Sequence, residues 1–527
     1  MADICLQHIS SIALTNEELQ QQNQELKDQI AILTQQLDWL KRQLFGRKSE
    51  QLDHPDLFAG DTPEKPESSG DAASPEDQAP NNVGANPKGE KRTRSIRKDR
   101  LPENLPVRTE EIIPAFVQAD PQAWKNCGFE EKTQLEKEPA YFYLRRILRM
   151  KFVPVDNPLS PPVIEPAKPT LIEGGFWGSG LIAEILTNKF LYHLPFDRQH
   201  VLNKQRYGVN LSPNTMGDAA AKVADQCGLL VALMKQRMLE SRYVRADETF
   251  IRYLDKTIPG GSSNGYFWVY RGLTGDVIFD WQTTREHHHA ADWLGPDYQG
   301  ILQSDGYQAY DNYCQAQRAK DKTVLRAACL AHIRRKFEKA RAERPEVIDW
   351  ILRIIARLYL LEKPLREHRA YAEVRIRVRQ NRSRPLINLL EKSFKRLINT
   401  RIRPKSGLGQ ALQYALGQWP AMQTFLEDGR VEIDNNDTEN DIRPSAVGKK
   451  NWLFVGSPEA GRRSAVIYTL LISARNHGVD PQAYLKHLIE RLPTTRPSDL
   501  DELLPATWAA ANRAAHPAIK SERPQAA

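Results

Sequence analysis

Hydrophobic positions change their spacing several times along the chain, and each change marks a new element. Near the N-terminus Leu19, Leu26, Ile30, Leu33, Leu37, Leu40 and Leu44 recur at intervals of seven, four, three, four, three and four residues. This is a heptad seam, with Leu19, Leu26, Leu33 and Leu40 at d and Ile30, Leu37 and Leu44 at a, and it predicts a coiled coil over 1–50. Asn23 falls at an a position, where a buried amide fixes the register of a two-stranded coil at a cost in stability. Homo-oligomerisation through this coil is the expectation; the competing reading is an amphipathic helix docked on its own domain. From 51 to 105 the pattern fades into Pro, Gly, Ser and Asp, too poor in large apolar residues to bury a core, which predicts a disordered linker.

The stretch 106–175 reads as ordered but has no clear period. Over 176–240 the spacing becomes helical, and "YGVNLSPNTMGDAAAKVA" predicts a turn at Gly208 and Asn210, then a helix capped by Ser212 or Asn214. Helix, short turn and helix, with Arg198, Lys204 and Arg206 close by, suit a helix-turn-helix reader of DNA or, equally, a plain helical bundle. At Ser241 the period drops to two. "YVRADETFIRYL", "GYFWVYRGL" and "DVIFDWQTT" are β-rich runs separated by turn signals, which predicts a meander of three strands. "HHHAADWL" then reads as helix, "GILQSDGYQAY" as a fourth strand, and "TVLRAACLAHI" as a fifth leading into the helix "RRKFEKARAE". The order β-β-β-α-β-α-β-α points to an α/β domain of ribonuclease-H-like kind over 241–480. Within it, 341–429 is helical and basic, with stripes at Ile351, Ile354, Leu358 and Leu361 and at Leu390, Phe394 and Leu397, and reads as an insertion. A C-terminal segment, 481–527, follows, frayed after Pro517.

Composition changes this picture in three places. The 527 residues carry 74 Lys and Arg against 66 acids, a net charge of +8 and a pI near 9.0, which suits a polyanionic partner. Lys91, Arg92, Arg94, Arg97, Lys98 and Arg100 make a basic arm that contacts phosphates or is simply a solvated linker. No apolar run approaches the ~20 residues that cross a bilayer and residues 1–10 are no signal peptide, so no membrane partner and a cytoplasmic setting are expected. Cys5, Cys127, Cys227, Cys314 and Cys329 are scattered without a CxxC, which encodes neither a disulfide framework nor a clustered zinc site.

Candidate chemistry rests on carboxylates. Asp247 lies midway along the first strand of the meander, where Glu248 must face the other way. Asp305 ends the fourth strand, and Gly306 behind it lets the backbone turn or approach a ligand closely. Neighbouring first and fourth strands would set the two acids side by side, where either one is protonated or a divalent cation lies between them. A third acid comes from "VEIDNNDTENDIRPSAVGKKNWLFVG". A helix capped by Asp434 or Asn435 places Glu439 on its second turn, with Asn435, Asn436 and Arg443 on the same side and Asp434 and Asp441 turned elsewhere. Pro444 is expected to end or bend that helix. His287–His289 read as an exposed helix start, because consecutive helical residues step ~100° apart. Cys329 and His332 read as core and cap, Trp419 and Trp452 as core aromatics, and Arg334, Arg335 and Lys336 as phosphate contacts or a solvated face.

"ADET", "LQSDGYQAY", "CLAHIRRKF" and "DNNDTENDIRP" followed by "GKKNWLFVGS", in this order, resemble the insertion sequence 66 family of bacterial transposases. "HLPFDRQ" is similar to that family's helical segment, and "YLKHLIERLP" and "DELLPATW" to its C-terminal segment. The resemblance implies a DDE triad, carried onto Asp247, Asp305 and Glu439 as metal-binding catalytic residues, that cuts transposon ends and joins them to target DNA. With it come two Mg²⁺ (or Mn²⁺) ions ~3.5–4 Å apart, and Arg443, Lys449 and Lys450 against DNA phosphates. It also implies a nucleoid-associated setting and two small accessory proteins of the same element. The family's zinc-binding segment is built on paired cysteines, whereas 106–175 keeps Cys127 alone. A degenerate, metal-free remnant is expected there and no zinc in the protein. Two rival functions share these residues: a decayed DNA-binding dimeric regulator, and a metal-dependent nuclease that cuts without joining.

Overall fold

The computed structural model describes residues 105–138, 141–255, 257–258, 261–320, 323–400 and 402–515. The expected coiled coil, the linker up to 104 with its basic arm, and the tail after Pro517 lie outside the described residues.

The weakly patterned 106–175 stretch is a small sheet. β1 (Val107–Ile112) runs parallel to β3 (Tyr141–Pro154), which pairs antiparallel with β2 (Trp124–Glu138) and with the short β4 (Val163–Ile164). The register slips between Asn126 and Gly128, leaving Cys127 exposed at a bulge where Gly128 takes φ +130°. Ion pairs such as Arg146–Glu131 (3.2 Å) and Lys151–Glu130 (3.3 Å) cross its open face, each worth roughly 0–1 kcal/mol. Anchoring comes instead from Leu135 and Phe142, which bury against Leu181, Ile185, Leu211 and Met216 of the helical segment. Buried Glu136 adds a specific lock. Its carboxylate accepts the N–H of Leu181 (2.9 Å) in the first turn of helix Ser179–Phe190, where free amides favour an anion.

Helices Ser179–Phe190, Phe196–Tyr207, Pro213–Gln226 and Gly228–Glu240 fill the next stretch. As expected, Gly208 turns the chain in the left-handed region (φ +67°), and Ser212 stands at the next N-cap.

The central sheet then begins with β5 (Tyr243–Leu254), β6 (Ser262–Arg271) and β7 (Val277–Gln282), an antiparallel meander. β8 (Gly300–Gln303) adds parallel to β5, and β9 (Val324–Ala327) parallel to β8, giving the order β7-β6-β5-β8-β9. First and fourth strands are neighbours, as the sequence reading required. β10 (Phe454–Val455) pairs with the far end of β5 at Arg252 and Tyr253. The edge strand β7 is not left open. Ser473 and Thr469 of helix Pro458–Asn476 accept the N–H groups of Val277 (3.0 Å) and Phe279 (2.9 Å), satisfying donors that an edge would expose.

Trp281 on β7 is held between two glycines. A Cβ at Gly265 would stand 2.3 Å from its ring, and one at Gly461 2.2 Å, so the indole occupies the space of two missing side chains. Gly461→Val is therefore expected to overpack this contact and cost ~1–3 kcal/mol, read as a lower urea midpoint at unchanged slope. An unshifted midpoint would mean the ring moves aside freely.

The 341–429 stretch is helical as expected, with helices Pro345–Glu367, Ala372–Val378, Arg384–Ile398 and Gly407–Met422 and a π-helical turn at Arg379–Ser383. Ile351, Ile354, Leu358, Leu390 and Phe394 are buried in one core that also takes in Tyr243 and Ile301, so the insertion packs directly on the sheet. Two element expectations need correction. Strand β9 stops at Ala327, and "LAHI" already belongs to helix Leu330–Lys339. Pro444 neither ends nor breaks its helix, which runs from Asn436 to Trp452; Ile442, Pro444, Ser445 and Gly448 are buried, and this packing outweighs the lost backbone hydrogen bond.

Candidate active site

Asp247 sits in the middle of β5, with its Oδ1 accepting the N–H of Glu248 (2.9 Å). Burial first, then the charges of Glu248, Asp305 and Glu439, push its carboxyl well above the usual carboxylate range. Glu248, on the other face of the strand, is taken up by Arg285 (3.1 Å) and the Tyr310 hydroxyl (2.9 Å). Asp305 lies two residues beyond β8, its Oδ1 accepting the N–H of Tyr307 (2.9 Å) in a tight turn. The close approach that Gly306 permits is to Tyr414 of the insertion: its N–H donates to the Tyr414 hydroxyl (3.2 Å), and a Cβ would stand 2.6 Å from the ring.

A buried amide holds these segments in register. Gln303, at the end of β8, accepts from the Tyr243 hydroxyl (2.5 Å) and donates to the carbonyls of Glu432 (2.7 Å) and Ala328 (3.2 Å). The returning chain is thereby pinned beside the sheet, and Leu330 donates to the Ile433 carbonyl (3.0 Å). Asn435 then donates from its side chain to the Ala246 carbonyl (3.0 Å), one residue before Asp247. Helix Asn436–Trp452 starts here, which delivers Glu439 to the cluster.

Glu439 receives Arg335 (2.9 Å), which also approaches His332 Nε2 at 3.3 Å. His332 Nδ1 and Glu439 Oε1 lie 3.7 Å apart; both are shielded from water and neither has a hydrogen-bond partner. Burial lowers His332 from its ordinary range, against the pull of Glu439 and Asp305. Burial likewise pushes the Cys329 thiol up to about 12.

Asp305 and Glu439 are each within electrostatic reach of Asp247, but the three are not a set whose oxygens all lie within 4.8 Å. Among the described residues, the sets that meet this distance are Cys329–His332–Glu439 and His288–His289–Asp292. Cys329 is buried and caps its helix, as read, and with His332 it also converges on Glu439. His287 and His288 are an exposed helix start, as read, although the rings of His288 and His289 approach to 4.1 Å. Asn435 is also turned inward rather than sharing Glu439's face, and Arg443 is exposed without an ion pair to it. Asp434 and Asp441 are turned elsewhere as expected, Asp434 to Arg366 (3.3 Å) and Asp441 to Asn476 (3.0 Å).

The basic candidates are spread over distinct environments. Arg334 pairs with Glu338 (3.0 Å), and Lys336 lies over the Tyr414 ring. Lys449 donates to the Phe250 carbonyl (2.9 Å) and covers that ring, while Lys450 is exposed. A cleft of about 390 Å³ opens beside the Arg335–Glu439 pair, with Arg334, Arg366, Tyr359 and Asn436 also on its walls. Glu338 and Asp434 line it too and pair with Arg334 and Arg366, so its charges are mixed. Arg335 as the partner of Glu439 was not read from the sequence, although the spacing Cys329, His332, Arg335 sets all three on one helical face. Among the described residues no helix is long and apolar enough to cross a membrane.

Comparison with known proteins matches the sequence to a family. The family model "Transposase IS66 family" matches residues 174–463, more than half of the chain. The model "IS66 C-terminal element" matches 469–506, and "Transposase C of IS166 homeodomain" matches 32–109. The uncharacterized protein y4jD of Sinorhizobium fredii is 30% identical over 536 residues, covering 95% of this chain and 99% of that protein. The uncharacterized protein y4qI of the same organism is 30% identical over 416 residues, covering 76% of this chain and 75% of its own. On the strength of these matches, the chain belongs to the IS66 family of transposases.

Proposed function

We propose that the protein is an active transposase that cuts transposon ends and joins the freed end to target DNA, with Asp247, Asp305 and Glu439 as its catalytic acids. The observation that carries this reading is the approach of Asp305 and Glu439 to Asp247, whose carboxyl is raised by burial first and then by the charges of Glu248, Asp305 and Glu439. A ribonuclease-H-like catalytic domain is part of the proposal, supported by the strand order with β5 central and β8 parallel beside it.

Unbalanced negative charge and the partnerless Oε1 of Glu439 fit a divalent cation such as Mg²⁺ or Mn²⁺. Asp247, Asp305 and Glu439 would hold it, Glu439 after release from Arg335. When bound, such a cation supplies Lewis-acid stabilisation of the charge that builds on a phosphoryl group in displacement. The chain's own groups do the rest. The tight turn at Tyr307 orients Asp305, Asn435 ties Glu439's helix to the strand of Asp247, and Arg335, once released, is free to meet a non-bridging phosphate oxygen. Water cuts the first strand and leaves a 3′-hydroxyl, which then attacks a target phosphodiester. Each step exchanges one P–O bond for another, so no nucleotide cofactor enters.

Exposed Arg443 and Lys450, together with Lys449, Arg334 and Lys336, are proposed to bind flanking DNA. Arg443→Ala and Lys450→Ala are each expected to weaken binding across sequences and to reduce the salt slope of log K by ~0.9 for each phosphate that is no longer neutralised. An unchanged slope would remove that residue from the interface. Dimerisation through 1–50 and accessory proteins of the same element remain part of the proposal.

A plasmid-joining assay with a pre-cut element end and Mg²⁺ tests the function. Joined product is expected. Cleavage without joining would instead make the protein a nuclease. DNA binding without chemistry, unaltered by Asp305→Ala, would make it a regulator.

A further inference from the structure

Beside the acid cluster, a thiol, an imidazole and a carboxylate meet. Cys329 is the N-cap of helix Leu330–Lys339 and His332 lies in its first turn, three residues on and so on the same face. Glu439 comes from the facing helix, and the ligand atoms of all three lie within 4.8 Å of one another. His332 Nδ1 and Glu439 Oε1, both buried and without partners, are 3.7 Å apart. That is too long for a hydrogen bond. Two donors each ~2.0–2.1 Å from one tetrahedral ion would stand roughly 3.3 Å apart, close to the spacing seen. The N–H of Asn435 donates to Cys329 Sγ at 3.2 Å, which orients the sulfur.

We propose that Cys329, His332 and Glu439 form a site for a zinc-class divalent ion, with three protein ligands and a fourth position open. Sulfur and imidazole donors select Zn²⁺ or Co²⁺ over Mg²⁺, which prefers an all-oxygen shell. On binding, a bond forms between the ion and Sγ, and the thiol proton leaves to solvent. A ring that ligates through Nδ1 carries its proton on Nε2, facing Arg335; that half-exposed guanidinium must then swing out towards water. The expected absence of zinc rested on Cys127 standing alone in 106–175, whereas this site is built from different elements. One consequence rests on the proposed role of Glu439: zinc would hold that glutamate away from Asp247 and Asp305 and inhibit Mg²⁺-dependent joining.

The test is titration of the metal-stripped full chain with Co²⁺, followed by absorption. A thiolate-to-cobalt charge-transfer band with four-coordinate visible bands is expected, displaced by Zn²⁺. The band should vanish in Cys329→Ser, persist in Cys314→Ser, and need at least about tenfold more Co²⁺ in His332→Ala. Arg335→Ala should tighten binding. Asp305→Asn, which removes the proposed chemistry, should keep the band, so failure of the metal site and failure of the transposase reading are told apart. Circular dichroism identifies any unfolded variant, and His332→Ala then decides in place of Cys329→Ser. Absence of a thiolate band, or a band that survives Cys329→Ser, overturns the site.

Discussion

Asp247→Asn is expected to abolish strand transfer and, in the absence of metal, to make the protein more stable at neutral pH. The loss of activity should reach roughly a thousandfold or more, the scale seen when a group that stabilises transition-state charge is removed. The gain in stability follows from the same geometry. Burial and the charges of Glu248, Asp305 and Glu439 all disfavour the ionised Asp247 carboxyl, so a neutral amide of similar shape relieves repulsion. About 1 kcal/mol is a reasonable scale for this relief. Mg²⁺ or Mn²⁺ should narrow the difference by stabilising the wild type alone. Urea denaturation with and without Mg²⁺, alongside the joining assay, checks both parts. A variant that is inactive and also less stable would show that Asp247 is a structural residue and that its repulsive surroundings are compensated elsewhere.

The second large effect is expected far from the chemistry, in the insertion. Glu362 is fully buried and receives Arg379 through two bonds of 2.7 Å, while Arg375 approaches at 3.3 Å. Arg379, also fully buried, caps the carbonyls of Phe425 (2.8 Å) and Asp428 (3.2 Å), which ties the middle of the insertion to its C-terminal end. Glu362→Ala leaves the fully buried Arg379 without its carboxylate and Arg375 with Glu432 alone, and should cost ~3–5 kcal/mol. Replacing Glu362 and Arg379 together by apolar residues of similar volume should recover much of that loss. A single variant within ~1 kcal/mol of wild type would mean that water enters when the glutamate is removed. The same network makes an acid prediction. Burial alone would raise Glu432, but the hydrogen bond from Arg375 and the charges of Arg366, Arg375 and Arg245 win and hold it at about 2. A depressed carboxyl contributes stability above its unfolded value and loses it as pH falls through the folded one. The stabilisation from Glu432 is thus expected to disappear between roughly pH 4 and pH 2. Glu432→Gln should flatten that part of the stability curve.

Most of the central sheet was legible in the sequence because its signals are local. The run from Tyr243 to Leu254 alternates and is bounded by turn residues, and the structure gives that span as β5. Asp305 was legible from Gly306, and Glu439 from the spacing of acids and amides around a helix start. What escaped depends on contacts between distant segments. Pro444 stays inside a helix because the buried face around Ile442 and Ser445 holds it there. Gln303, a polar residue in an apolar run, becomes a hub only because Tyr243, Ala328 and the carbonyl of Glu432 arrive from elsewhere. Cys329 and His332 gain a partner only once the insertion has returned the chain to Glu439. The sheet over 107–164 was missed for another reason. Its strands carry charges paired across an open face, so neither face shows a clean apolar period.

The central claim is that Asp247, Asp305 and Glu439 act as one cation-holding unit against a DNA backbone. The most direct measurement is anomalous diffraction from crystals of the protein with Mn²⁺ and an element-end DNA duplex. The account predicts manganese density shared by Asp247 and Asp305, with Glu439 turned from Arg335 towards the metal site and a DNA phosphate alongside. Manganese lodged away from these residues, with Glu439 still held by Arg335 in the presence of DNA, would contradict it.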